Sequence, residues 1–134
     1  DVRALPDEDM DRFIAQLRQV INDPKVDIER APGHSRPGAP PSSLNTEAFE
    51  VIESAVKRHY GVITLPTMST GATDMAYLRA AGVQCFGIGP GIDMEDGPKG
   101  FGAHSDQERI LEAELYTFLR FKLDIVQRLA GRMP

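Results

Sequence analysis

Residues 32–43 read PGHSRPGAPPSS, and four prolines with two glycines in twelve positions exclude both a continuing helix and a ladder strand there. The chain is therefore read as a short piece and a longer one. In the short piece, residues 2–5 (VRAL) alternate like a strand, while Pro6 and the acidic Asp7, Glu8 and Asp9 predict a helix start, because negative charge favours the positive end of the helix dipole. Met10, Phe13, Ile14, Leu17, Val20 and Ile21 then recur at spacings of three and four, an amphipathic helix that ends near Asn22, Asp23 and Pro24. Val26, Ile28 and Ala31 alternate with charged residues, which predicts a half-exposed strand.

The longer piece opens on Asn45 as a helix cap. Ala48, Phe49, Ile52, Ala55 and Val56 form its apolar stripe, which Tyr60 and Gly61 close. Residues 62–65 (VITL) read as a buried strand stopped by Pro66, and Thr73 or Asp74 caps a short helix through Ala81 that Gly82 ends. Residues 83–86 (VQCF) make another strand. Helix, strand, helix, strand predicts an α/β layer with parallel strands. Residues 87–103 form a glycine-rich loop without periodicity, a length that marks function or mobility. Ser105 and Glu108 form a capping box, and Leu111, Leu115, Phe118, Leu119, Ile125, Val126 and Leu129 make the apolar face of a long final helix. No internal repeat is present.

Composition removes several classes of function. Fifteen Lys and Arg against twenty Asp and Glu leave a formal charge of -5, so the basic footprint of a general nucleic-acid binder is missing. No run of about 18 apolar residues exists to span a membrane, and the first residues carry no signal-peptide pattern, which leaves the compartment open. Cys85, alone, makes neither an internal disulfide nor a thiolate zinc cage.

Candidate chemistry sits in a few places. His104 precedes the predicted cap, so its imidazole is aimed from a loop, a metal-ligand position as well as that of an ordinary loop histidine. Residues 67–74 (TMSTGATD) follow a predicted strand, where α/β proteins bind ligands; Gly71 allows close approach and the helix-start amides favour an anion. Thr73 and Asp74 can equally serve only as caps. Arg3, at the end of a short strand, can bind a carboxylate bidentately or make a surface ion pair. Residues 87–91 (GIGPG) lack the G-x-G-x-x-G and G-K-[ST] patterns of nucleotide loops. Ser69, Ser105 and Cys85 lie in no nucleophile elbow and read as structural, and His34 and His59 read as solvated.

The segments D-V-R with Pro6, SLNTEAFEVIESAVKRHYG, MSTGATDMAYLRAAG and GFGAHSDQERI occur in this order. Together the chain resembles the carboxy-terminal part of the zinc-dependent aminoacylase and carboxypeptidase family, which includes acetylornithine deacetylases, succinyl-diaminopimelate desuccinylases and glutamate carboxypeptidases. The ordered trio of D-x-R, G-[AT]-x-D and H-S-D-x-E carries the resemblance, which covers essentially the whole chain.

That resemblance implies an α/β fold: part of a di-zinc exopeptidase-like catalytic domain plus the end of an α+β lid. Residues 1–31 would end the lid, 32–42 would be the hinge, and 43–134 would return to the catalytic domain. His104 would be a zinc ligand, with two zinc ions (cobalt or manganese in their stead) per complete site. Arg3 would contact a substrate carboxylate, and Gly71, Ala72 and Thr73 would line the pocket for a peptide or N-acyl amino acid. Partners would be that substrate and a second copy through the lid, with neither nucleic acid nor membrane. The implied activity is metal-dependent amide hydrolysis, in which zinc activates a water and a carboxylate moves the proton.

The departures are as informative. The family's other metal ligands and its glutamate base match nothing in this sequence, and one imidazole cannot hold a catalytic zinc. The chain by itself is thus expected to be inactive, a part of a longer enzyme that self-associates or is marginally stable. The competing readings are a non-catalytic binding or dimerisation module sharing the fold, and a small α/β nucleotide-binding domain.

Overall fold

The computed structural model describes residues 2–5, 7–33, 36–69 and 71–131. Asp1, Pro6, His34, Ser35 and Thr70 lie outside them, and so do the readings of Pro6 as a helix start, of His34 as solvated and of Asp1 in the D-x-R motif. The described secondary structure is four helices: α1 (Met10–Ile21), α2 (Glu47–Tyr60), α3 (Met75–Ala80) and α4 (Glu112–Ala130). The chain divides into two compact units, one of residues 1–43 and 68–86 with α1 and α3, the other of 44–67 and 87–134 with α2 and α4.

In the first unit, Asp9 caps α1 by accepting from the amides of Asp11 (3.0 Å) and Arg12 (3.1 Å). Asn22 ends the helix in the left-handed region at φ 46°, a conformation asparagine tolerates, with its N–H on the Arg18 carbonyl. Residues after the turn are held by side chains rather than by a ladder: Arg18 Nη2 donates to the Ile28 carbonyl at 2.8 Å, and Arg30 pairs with Asp11 at 2.8 Å. Residues 36–43 are bonded along 73–85. The Ser42 hydroxyl donates to the Cys85 carbonyl (2.7 Å) and accepts from the Cys85 amide (2.8 Å), while the Ser43 amide donates to Gln84 Oε1 (2.7 Å).

The second unit is an α2–α4 pair. Thr46, one residue beyond the expected Asn45, caps α2 by accepting from the Phe49 amide, and Gly61 closes it at φ 69°, where a Cβ would be strained. Ile52 and Ala55 of α2 and Phe121 and Ile125 of α4 are buried and form the core. Phe121 lies edge-on to Tyr60 (centroids 5.5 Å) and His59 (6.1 Å).

The α/β expectation is overturned, because no strand forms among the described residues. The runs at 26–28, 62–65 and 83–86 have β-branched composition but no ladder neighbour, and Ile63 stands 80% exposed where a buried strand was expected. Composition makes a strand only when another strand accepts its amides. The reading as a sheet-based catalytic domain and as a small α/β nucleotide domain falls with it.

Candidate functional site

Arg3 and residues 71–73 belong to the first unit and His104 to the second, so the two groups are described separately. Arg3 is exposed and its segment is not a strand. Around the TGATD turn the Gly71 amide donates to Ser69 Oγ at 3.0 Å, and Thr73 Oγ1 accepts from the Met75 amide at 3.2 Å. Gly71, Ala72 and Thr73 are exposed. The turn is braced from outside the segment. Arg36 Nη1 donates to the Thr73 carbonyl at 2.7 Å, approaches Asp74 at 3.4 Å, and its guanidinium lies 5.8 Å from the Tyr77 ring centroid. Sequence reading passed over Arg36 because it sits in the proline-rich stretch, with no partner nearby in sequence. The anion reading of the helix start is corrected: α3 has only six residues, and at its N-terminus stands Asp74, itself an anion.

His104 is exposed and held at φ 68°, with its amide donating to Glu108 Oε2 at 3.0 Å. That contact is a one-residue-shifted version of the reach-back expected from the capping box. The other half does not form, since the Glu108 amide goes to the Ser105 carbonyl, Ser105 Oγ is buried with no hydrogen-bond partner among the described residues, and α4 starts only at Glu112. Arg109, expected inside the first helical turns, instead grips Asp96, which is 6% exposed, through Nε (3.1 Å) and Nη2 (2.6 Å), with its guanidinium 4.0 Å from the Phe101 centroid. The Arg109 hydrogen bond holds the Asp96 carboxyl below the usual range, with the Arg109 and Lys99 charges adding to it. The glycine-rich stretch is thus folded around this pair and the turn from Asp96 to Phe101.

The second charged cluster ties α2 to α4. Asp124 accepts from Arg128 Nε at 2.6 Å, stands 3.0 Å from His59 Nε2, and pairs with Arg58. The Arg128 hydrogen bond first, then His59 and the neighbouring guanidinium charges, hold its carboxyl below the usual range. His59 is therefore a half-buried hydrogen-bonding partner of Asp124 in the α2–α4 contact, not the solvated residue the sequence suggested. Burial, with the Glu114 charge, pushes the Tyr60 phenol up, and its OH has no partner among the described residues. Cys85, half-buried, places its thiol 3.6 Å from the Val83 carbonyl, in keeping with a structural role.

Among the described residues no group of three or more His, Cys, Asp or Glu side chains could hold a metal ion. At His104 the Glu108 carboxylate accepts from the backbone amide. The expected zinc centre, whether filled by zinc, cobalt or manganese, is not built by these residues. With it falls the reading of a metal-dependent amidohydrolase or metallopeptidase site among the described residues. No helix among the described residues is long and apolar enough to cross a membrane.

A family model described as peptidase family M20/M25/M40 matches residues 8–128. No curated protein and no solved structure matches the chain significantly.

Proposed function

The chain belongs to peptidase family M20/M25/M40, and from its unburied helical surface we propose that it works as a non-catalytic dimerisation module, self-associating through α1 within residues 1–31. The observation that carries this is that α1 repeats apolar residues on one face and buries none of them. Val20 is 81% exposed. Met10, Ile14, Leu17 and Ile21 follow the four-three-four spacing of a helix seam, and Phe13 and Val20 widen it on one side.

The charges favour a second copy in particular. Asp11 and Arg18 lie on the other edge of that seam, seven residues apart. In an antiparallel pairing, edge positions of the same class meet, so Asp11 of one copy faces Arg18 of the other, twice per dimer, and the pairing would exchange the contacts that Arg30 makes with Asp11 and Arg18 with the Ile28 carbonyl within one chain. Exposed pairs of this kind contribute ~0.2–1 kcal/mol each. The seam supplies affinity and the charges supply orientation.

Sedimentation equilibrium tests the reading. The wild type is expected to dimerise at micromolar concentration, Leu17→Asp to be monomeric, and Asp11→Arg and Arg18→Asp each to weaken the dimer several-fold, with the double swap recovering it. A wild-type monomer throughout that range, or a double swap no better than the single ones, sinks the proposal.

A further inference from the structure

α4 carries two apolar faces. One holds Phe121 and Ile125 against α2. The other consists of Tyr116, Leu119, Leu123 and Val126, at spacings of three, four and three, and all four are at least half exposed. This is the a/d pattern of a helix seam, and Ala130 continues it.

Its edges carry basic charge. Arg120 flanks the stripe on one side and Lys122 on the other. Neither makes an ion pair among the described residues, whereas Arg128 of the same helix is engaged by Asp124 at 2.6 Å. Lys122 Nζ lies 5.4 Å from the Phe118 ring centroid, on the side away from the stripe, so the apolar strip stays clear.

We propose that this stripe is a docking surface for an amphipathic helix of another polypeptide, with an apolar seam and acidic residues at the flanking positions. Charge complementarity selects that occupant. A second α4 is a poor one: antiparallel pairing sets Arg120 against Arg120 and Lys122 against Lys122, and parallel pairing offers them only Leu115 and Gln127, so neither orientation supplies a carboxylate. The inference concerns a different helix from the self-association through α1 and does not depend on it.

Fluorescence anisotropy with the full chain tests it, using two labelled three-heptad peptides with the same leucine seam, one with Glu and one with Lys at every flanking position. The Glu peptide is expected to bind at least tenfold more tightly. Arg120→Glu with Lys122→Glu should invert that preference, Leu119→Asp should abolish binding of both, and Leu17→Asp should leave it intact. Leu119, Arg120 and Lys122 are exposed and Leu17 is half-buried, and the double charge reversal decides the matter even if Leu119→Asp or Leu17→Asp does not fold. Equal affinity for the two peptides, binding of neither, or an unchanged preference in the double variant overturns the proposal. So does a wild-type oligomer that Leu119→Asp, and not Leu17→Asp, dissociates.

Discussion

Phe121→Ala is expected to dismantle the α2–α4 unit. Phe121 is 1% exposed, the largest fully buried side chain among the described residues, and touches Tyr60, His59 and Phe118. An aromatic side chain buries roughly 150–250 Å², which at about 25 cal/mol per Å² is roughly 4–6 kcal/mol. A compact denatured chain already hides part of that area, which brings the loss to about 3–5 kcal/mol, the range seen for aromatic-to-alanine changes in cores. A unit of this size has a total stability of about 4–11 kcal/mol by the usual per-residue scale. One substitution therefore removes about a quarter of that stability or more. The control is Val126→Ala on the same helix, where the side chain is 57% exposed and the cost should stay within about 0.5 kcal/mol. Urea unfolding followed by far-ultraviolet circular dichroism, with hydrogen exchange read over α2 and α4, measures both. If the two variants cost the same, the core is not where these four residues place it.

Asp124 gives a pH dependence. Its folded pKa lies below its unfolded value, so its contribution is present above the unfolded value near 4 and is lost as pH falls through the folded one. Acid unfolding of the α2–α4 unit should therefore steepen below about pH 4, and Asp124→Asn should flatten that limb while costing stability at pH 7; an unchanged acid limb would contradict the cluster's role. Arg36→Ala should speed amide exchange in residues 71–75 and leave α2 and α4 protection unaltered, since Arg36 braces the turn through the Thr73 carbonyl; unchanged exchange there would refute the brace.

The helices were legible because their signals are local. α1 and α2 follow from stripes, Asp9 and Gly61, and even the cap error, Asn45 for Thr46, is one residue. The final helix was found with its face half misread. The expected stripe mixed Leu115, Leu119 and Val126, which are exposed, with Ile125, which is buried, and omitted Phe121, because two apolar faces overlap on one helix and spacing alone does not rank them. The strands failed for the opposite reason. A β-branched run such as 62–65 states a local preference, and pairing is a non-local event that no residue in the run encodes. The same holds at the site. The His59–Asp124 and Asp96–Arg109 pairs join residues that are not neighbours along the chain, while the capping-box residues, legible locally, do not start the helix: Arg109 is paired with Asp96 and α4 begins at Glu112.

The two proposed association faces differ in chemistry. α1 carries Asp11 and Arg18 on a single edge and is self-complementary, while α4 carries Arg120 and Lys122 on opposite edges and repels its own copy. On the two proposals, like would pair with like through the first helix and be prevented from doing so through the second, which would leave the second to an acidic partner once the chain has met itself.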